Sequence, residues 1–154
     1  METDSTAKAH QVMTHNPICC LPTDTAQHVA ALLRDNDIGA VPVVKDHFSR
    51  KLVGIITDRD LCCAVVAAGL EAKALVIRPM LSKNPIQCHF EDDLEKCMEA
   101  MERYQVRRLP IVDDQGRCVG IISQADLALR AKPAAVSRVV TSISQIGKQS
   151  TSAA

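Results

Sequence analysis

Part of this sequence is written twice. The segment Val12–Cys20, V-M-T-H-N-P-I-C-C, aligns with Met80–Cys88, M-L-S-K-N-P-I-Q-C, at an offset of 68 residues (80 − 12). Further along, G-I-I-T-D-R-D at Gly54–Asp60 matches G-I-I-S-Q-A-D at Gly120–Asp126 at an offset of 66 (120 − 54). One short insertion in the first copy explains the change in register. An internal repeat of this kind requires a fold in which one structural unit is built twice.

Each copy has the same order of predicted elements. A short strand follows N-P-I, at Ile18–Cys20 and again at Ile86–Cys88. A helix comes next, then two β-rich runs, then a second helix after the repeated heptapeptide. We therefore predict a mixed α+β fold of two tandem β-α-β-β-α repeats, packed together by pseudo-two-fold symmetry because neither repeat alone can bury its sheet well. The apolar face of the first helix is predicted from i, i+3, i+4, i+7 spacing to be Ala26, Val29, Ala30 and Leu33 in one copy, and Leu94, Cys97, Met98 and Met101 in the other.

Aspartates and prolines mark the ends of these elements. Asp24 and Asp92 are each followed three residues later by Gln or Glu, a pattern that predicts capped helix starts. Pro42 and Pro110 cannot donate a backbone hydrogen bond, so we expect them at a strand start or at a sheet edge.

Composition limits the possible partners. Lys plus Arg and Asp plus Glu each number 18, so no global basic field favours nucleic acid, and we expect no nucleic-acid partner. No apolar run is long enough to span a membrane, and the polar start M-E-T-D-S-T-A-K-A-H lacks the apolar stretch of a signal peptide. These features predict a cytoplasmic protein with no membrane partner.

The seven cysteines are predicted to be free thiols in a reducing cytoplasm, where cysteine behaves as a small hydrophobic residue. Cys19-Cys20 and Cys62-Cys63 are adjacent pairs, which lack the C-x-x-C spacing of zinc sites. The five histidines form no ligand-spaced cluster. We therefore predict no metal site, with Cys20 facing the core and Cys19 lining a cleft.

The repeated heptapeptide has chemistry suited to a nucleotide. Thr57 or Ser123, at the start of a helix with unpaired N–H groups, can place a hydroxyl on a phosphate or sugar oxygen. An ionised carboxylate only accepts hydrogen bonds, so Asp60 and Asp126 suit the two hydroxyls of a ribose. The glycine that opens each heptapeptide would allow a backbone or a ligand to approach the strand. The alternative is that these residues are ordinary helix N-caps.

This pattern of motifs, which covers Ala9 to Arg130, resembles the CBS domain family, named after cystathionine β-synthase. Tandem pairs of CBS domains are called Bateman modules. The resemblance implies a stand-alone, bacterial-type regulatory protein without catalytic residues or a catalytic cofactor. It implies a regulatory adenosyl ligand: AMP, ADP, ATP, S-adenosylmethionine or NAD. It also implies a homodimer that signals through ligand-dependent changes to an effector protein. The sequence contains no P-loop, no G-x-G-x-x-G motif and no nucleophile paired with a base, so its motifs do not favour an enzyme.

In the family, each cleft joins the hydroxyl and aspartate of one repeat to the first strand of the other. Carried over, the first ligand site comprises Thr57, Arg59, Asp60, Ser82, Ile86, Arg108 and Leu109. The second site comprises Thr14, Ile18, Cys19, Val41, Ser123 and Asp126. In both sites the isoleucine is expected to lie against the adenine.

Arginines distinguish the two predicted sites. Arg107 and Arg108 belong to the first, where guanidinium groups can bind phosphates, whereas Gly39 and Ala40 replace them in the second. The second site therefore suits a ligand of little charge, or the nucleoside end of a longer ligand. The alternative for the two arginines is a solvated strand end, paired to Glu102 or Asp113.

The predicted boundaries are residues 9–69 for the first repeat and 70–131 for the second. Residues 132–154 are predicted to form a C-terminal helix and a disordered tail beginning at Gly147. An alternative function is a structural or interaction module with empty clefts, in which the cysteines sense redox state or a metal.

Overall fold

The computed structural model describes residues 7–81 and 84–149, and side chains as far as residue 145. In chain order the elements are α1 (Ala9–Val12), β1 (Thr14–His15), α2 (Ala26–Asn36), β2 (Ala40–Val44), β3 (Leu52–Thr57), α3 (Asp58–Leu61), β4 (Cys88–His89), α4 (Leu94–Tyr104), β5 (Arg108–Val112), β6 (Cys118–Ser123), α5 (Gln124–Arg130) and α6 (Pro133–Gln149). A π-helical turn continues α3, and short 3₁₀ turns occupy Ala72–Ala74 and Arg78–Met80. The mixed α+β class predicted from the sequence is confirmed.

The chain forms two compact units, and neither is made from one repeat alone. Within the described range, the C-terminal unit contains residues 7–15, 86–113 and 119–149. The N-terminal unit contains residues 16–81, 84–85 and 114–118. Each unit therefore includes a short segment of the opposite repeat, a division that the sequence pattern does not indicate.

The C-terminal unit is built on a four-stranded sheet in the order β1-β6-β5-β4. Strand β1 runs antiparallel to β6, with Thr14 opposite Ile121, and β4 runs parallel to β5. Arg138 of α6 donates to Glu95 at 2.6 Å and to Glu102 at 2.8 Å, which ties α6 to α4. The sheet and helices enclose one core, whose fully buried members include Ala9, Cys97, Met101, Leu109, Ile111, Ile122, Leu127 and Val139.

The N-terminal unit has a two-stranded antiparallel sheet, β2-β3, in which Ala40 lies opposite Thr57. Cys20 extends it by one parallel bridge to Val43. The N–H of Leu52 donates to the carbonyl of Gly116 at 3.0 Å, which joins residues 114–118 to this unit. Its core consists of Cys20, Ala26, Val29, Leu33, Val41, Val43, Ile56, Leu61, Val65 and Ile77.

The predicted helix faces are confirmed with one exception. All four predicted residues of α4 are buried. In α2, Ala26, Val29 and Leu33 are buried, but Ala30 is exposed. Leu32 packs against the core instead, so the buried stripe of α2 turns away from the side on which Ala30 lies.

The two predicted capping aspartates act one turn earlier than expected. Asp24 accepts from the N–H of Leu21 at 2.7 Å, and Asp92 accepts from the N–H of His89 at 2.8 Å, so each closes the turn before its helix. Thr25 caps α2 instead, through a bond from the N–H of His28. Each carboxylate accepts from an N–H group that precedes it in the chain, because these loop N–H groups have no acceptor within the helix.

The first strands are shorter than predicted. Of Ile18–Cys20 only Cys20 joins a sheet, and of Ile86–Cys88 only the last residue does, at the start of β4. Strand β1 lies earlier, and it ends where Asn16 adopts φ 47° in the left-handed region, followed by a proline. That change of direction prevents β1 from continuing into the predicted strand.

Both prolines lie inside strands, so the expectation of a strand start is wrong. The expectation of a sheet edge is confirmed for Pro42, in the two-stranded sheet, and is wrong for Pro110. Pro42 is the central residue of β2, and Pro110 is the central residue of β5, which has a neighbour on both sides. The bridge beside β2 uses the carbonyl of Pro42 and the N–H of Val44, so the missing N–H is not needed. In β5 the parallel pairing to β4 begins only after the proline, at Ile111.

The helices that follow the repeated heptapeptides are present as predicted, ending before Gly69 in one copy and at Arg130 in the other. Helix α6 extends to Gln149, beyond Gly147, where the tail is predicted to begin, and residues 150–154 lie outside the described range. Within the described part of the chain, no helix is long and apolar enough to cross a membrane.

Candidate functional site

The two repeated heptapeptides form the same hydrogen-bonded turn at a strand-to-helix junction. Thr57 Oγ1 accepts from the N–H of Asp60 at 3.1 Å, and Asp60 Oδ2 accepts from the N–H of Thr57 at 2.8 Å. Ser123 Oγ accepts from the N–H of Asp126 at 3.1 Å, and Asp126 Oδ2 accepts from the N–H of Ser123 at 2.9 Å. Both turns are thus capping boxes, as in the N-cap interpretation.

The cap uses one carboxylate oxygen of each aspartate and leaves the other outside the capping bond. In both turns the backbone bond uses Oδ2, whereas a carboxylate offers about four lone-pair positions over its two oxygens. Asp60 is exposed, and within residues 7–81 and 84–149 no hydrogen bond reaches its Oδ1. A capping role and a ligand-binding role are therefore compatible in the same side chain.

A third residue joins the turn in the C-terminal unit. Thr14 Oγ1 donates to Asp126 Oδ1 at 3.0 Å, a contact between residues 112 positions apart in sequence. The C-terminal unit therefore brings together Thr14, Ser123 and Asp126, three residues predicted for one ligand site. The counterpart of Thr14 at the repeat offset is Ser82, which lies outside the described residues.

The glycine of each heptapeptide is approached by a side chain of the protein, not by a backbone. A Cβ on Gly120 would lie 2.1 Å from Met13 Sδ and 2.8 Å from Met13 Cγ. A Cβ on Gly54 would lie 3.4 Å from Leu81 Cδ2. Met13 and Leu81 are themselves related by the repeat offset of 68 (81 − 13). Each glycine therefore accommodates an apolar residue that precedes the first strand of the opposite repeat.

The loop before β5 lies at the start of α5. The carbonyl of Arg107 accepts from the N–H of Gln124 at 3.3 Å, and the equivalent carbonyl of Gly39 accepts from the N–H of Asp58 at 3.1 Å. Arg107 is exposed and Arg108 is half-buried. Glu102, one of the two acids considered as their partners, instead binds Arg138.

Other predicted site residues differ in accessibility. Ile18 is 40% exposed and Cys19 is buried, in the N-terminal unit, while Ile86 of the C-terminal unit packs partly against its core. Val41 and Leu109 are fully buried core residues, so their side chains cannot contact a ligand. Only their backbone groups remain available, and the place of both residues in a ligand site stays a prediction. Arg59 is exposed, beside the Thr57–Asp60 turn, and its N–H donates to Asp58.

Arg50 is a residue that the sequence interpretation missed. Its guanidinium Nη2 lies 3.4 Å from Cys19 Sγ, 3.1 Å from the Pro17 carbonyl and 3.4 Å from the Cys118 carbonyl. Arg50 lies in the segment of the first repeat that contains the insertion, so aligning the two repeats does not identify it. Within the described ranges, no three His, Cys, Asp or Glu side chains are grouped to hold a metal ion.

Comparison with protein families gives a match in both repeats. The CBS domain family model matches residues 9–67 and 77–132. The chain is 37% identical over 112 residues to the CBS domain-containing protein YhcV of Bacillus subtilis, covering 70% of this chain and 74% of that protein. It is 29% identical over 135 residues to hypoxic response protein 1 of Mycobacterium tuberculosis, covering 88% and 92%. A match to protein MK0525 of Methanopyrus kandleri, 33% identical over 118 residues, covers 77% of this chain and 59% of that protein.

Solved structures share the fold. The crystal structure of hypoxic response protein I with two coordinated zinc ions aligns with a TM-score of 0.73 at 29% identity, covering 80% of this chain and 98% of that one. The CBS domain pair of protein MJ0100, solved in complex with 5'-methylthioadenosine and S-adenosyl-L-methionine, aligns with a TM-score of 0.71 at 27% identity, covering 80% and 94%.

Proposed function

The chain belongs to the CBS domain family, and we propose that it is a regulatory module that binds an adenosyl ligand at its two capping turns. The observation that carries this proposal is the aspartate of each turn, whose Oδ2 closes the cap while Oδ1 takes no part in the capping bond. A carboxylate oxygen of this kind accepts from a ribose hydroxyl. The CBS pair of MJ0100 binds 5'-methylthioadenosine and S-adenosylmethionine, which share an adenine and a ribose diol.

The two turns are proposed to prefer different ligands. The first site, with Thr57, Arg59, Asp60, Ser82, Ile86, Arg108 and Leu109, would take a phosphate-bearing nucleotide such as AMP, ADP or ATP, because guanidinium–phosphate bonds are strong. The second site, with Thr14, Ile18, Cys19, Val41, Ser123 and Asp126, would take a ligand of little charge. There Asp126 Oδ1 already accepts from Thr14, so one lone pair remains for the diol.

Regulation is proposed to follow from differential affinity. A ligand changes the balance between two arrangements of the chain, or of a homodimer, only when it binds one arrangement more tightly than the other. The response would pass to an effector protein, and we propose no catalytic activity for the chain itself. The cytoplasmic location remains a prediction from the sequence.

A thermal-shift panel tests this function. The ligands are AMP, ADP, ATP, 5'-methylthioadenosine, S-adenosylmethionine, NAD and NADH, with Zn²⁺ in separate wells with and without reductant. A ligand at a hundredfold excess over its Kd stabilises the folded state by about 2.7 kcal/mol, which raises the melting temperature by several degrees.

The variants Asp60→Asn and Asp126→Asn assign the shift to a turn. Asparagine keeps an oxygen for the capping bond, but it presents an NH₂ donor where the second carboxylate oxygen was, so the fold survives while diol binding is lost. Asp35→Asn, at an exposed carboxylate on α2, controls for the loss of one charge. A shift that persists when both aspartates are replaced would overturn the assignment to the turns. A panel that responds only to Zn²⁺ or oxidant would overturn the proposal in favour of the cysteine-based alternative.

A further inference from the structure

Two cysteines of the N-terminal unit share one arginine. The Arg50 guanidinium donates to Cys19 Sγ and to the Cys118 carbonyl, each at 3.4 Å. The N–H of Cys118 donates to the Arg50 carbonyl at 2.8 Å. Arg50 itself adopts φ 53°, in the left-handed region, which turns the chain at this point. These contacts hold two residues 99 positions apart in sequence (118 − 19) against the same side chain.

The surroundings of Cys19 favour its ionised form. A hydrogen bond from the Cys118 thiol and the positive charge of Arg50 lower the pKa of the Cys19 thiol, although burial acts in the opposite direction. The Pro17 carbonyl, 3.3 Å from Cys19 Sγ, also favours the protonated thiol. The net direction is downward, and a thiolate is the form of cysteine that attacks peroxides.

We propose that Cys19 and Cys118 are a peroxide-reactive thiol pair that closes to an intramolecular disulfide, with Arg50 positioning and polarising the attacking sulfur. The Cys19 thiolate attacks one peroxide oxygen, so an S–O bond forms and the O–O bond breaks. The hydroxide released takes a proton and leaves as water. The Cys118 sulfur then attacks the sulfenic sulfur, an S–S bond replaces the S–O bond, and the second hydroxide leaves as water with the Cys118 proton. Two thiols are oxidised and one peroxide is reduced to two waters.

The chain supplies an internal comparison. In the C-terminal unit Cys88 and Cys97 are also hydrogen-bonded to each other, a bond that lowers the pKa of Cys88 and raises that of Cys97. Among the described residues no arginine or lysine nitrogen bonds to either sulfur, since the Lys96 ammonium binds Asp92. All four cysteines are buried, so the arginine is the difference between the two pairs. We therefore expect the Cys88–Cys97 pair to oxidise more slowly than the Cys19–Cys118 pair.

Peptide mapping tests the proposal on the full chain without added nucleotide, so its failure would leave the ligand proposal untouched. The reduced protein receives a short pulse of hydrogen peroxide, free thiols are alkylated, and a tryptic digest is analysed by mass spectrometry without reduction. Cleavage after lysine and arginine places Cys19 on peptide 9–34, Cys118 on 118–130, Cys88 on 84–96 and Cys97 on 97–103. Peptide 60–73 carries the exposed Cys62 and Cys63.

The expected product is a cross-link between peptides 9–34 and 118–130, formed before any other. It should be absent in Cys19→Ser and in Cys118→Ser but present in Cys20→Ser, which separates the two cysteines of the first peptide. A faster link between peptides 84–96 and 97–103, or oxidation confined to peptide 60–73, would overturn the proposal.

Arg50 has a separate test. Arg50→Gln should slow the oxidation of Cys19 by about threefold or more at neutral pH, because a rise of half a pKa unit lowers the thiolate fraction by that factor. It should also move the pH–rate profile to higher pH. Arg50→Lys keeps the charge and should restore part of the rate. An unchanged pH–rate profile in Arg50→Gln would show that Arg50 does not activate Cys19. A shifted profile that lysine partly rescues does not arise from loss of structure alone.

Discussion

The turns at Thr57–Asp60 and Ser123–Asp126 are equal in their caps and unequal in what surrounds them. Both close the same pair of backbone-to-side-chain bonds. Asp126 accepts from Thr14, whose counterpart Ser82 lies outside the described residues. The difference that the structure shows is at the glycines, because Met13 packs against Gly120 far more tightly than Leu81 packs against Gly54. The duplicated heptapeptide therefore determines the local turn, whereas its surroundings are set by residues of the opposite repeat.

The largest expected difference concerns the glycines. Gly120→Ala should destabilise the fold by about 1–3 kcal/mol, because Met13 must move away from the new methyl group. Gly54→Ala meets ordinary contact distances, and alanine restricts the unfolded chain, so its effect should lie between zero and a gain of about 1 kcal/mol. Urea unfolding of the two variants measures this directly. Equal losses would show that the two glycine sites are packed alike.

A smaller effect is expected at Thr14. Thr14→Val removes the hydroxyl that donates to Asp126 and should cost about 1 kcal/mol, while Thr14→Ser, which keeps the donor, should cost less. Thermal unfolding of both variants checks the difference. If Thr14→Val and Thr14→Ser have equal melting temperatures, the hydrogen bond from Thr14 to Asp126 does not stabilise the turn.

The smallest effect is expected at the turns before the first helices. Asp92 accepts from the N–H of His89 and from Lys96, whereas the Asp24 carboxylate, among the residues that the structure describes, accepts only from the N–H of Leu21. Burial pushes the pKa of Asp92 upward, but those bonds outweigh it and hold the pKa below its ordinary value of 3.8. A carboxyl whose pKa is lowered by folding stabilises the folded state above its unfolded pKa, and that contribution is lost as the pH falls through the folded value.

Asp92→Asn should therefore reduce stability at pH 7 by less than about 1 kcal/mol, because Lys96 is exposed and solvent screens the ion pair, and it should flatten the loss of stability below pH 4. Melting temperatures measured from pH 7 to pH 2 provide the test. If the melting temperature of the variant falls below pH 4 as steeply as that of the wild type, Asp92 does not contribute to acid sensitivity.

Features repeated along the chain were predictable, and features that join distant segments were not. The hairpins, the buried face of α4 and both turns follow from short-range pattern. The family resemblance paired Thr14 with Asp126, which no local pattern indicates. Pro110 was misplaced because a strand tolerates a missing N–H where the pairing to its neighbour begins one residue later. Arg50 was missed because its contacts depend on residues 114–118 joining the N-terminal unit.

Recognition of the ribose diol by Asp60 and Asp126 is the central claim, and calorimetry with a matched ligand pair tests it most directly. The ligands are 5'-methylthioadenosine and its 2'-deoxy analogue, titrated into the reduced wild-type chain and into Asp60→Asn, Asp126→Asn and the double variant. Hydrogen bonds to a charged group contribute about 1.5–3 kcal/mol, so the deoxy analogue should bind the wild type roughly 10- to 150-fold more weakly. That penalty should disappear in the variant whose turn holds the ligand. Equal affinity of the wild type for both ligands, or a penalty unchanged in the double variant, would contradict the assignment.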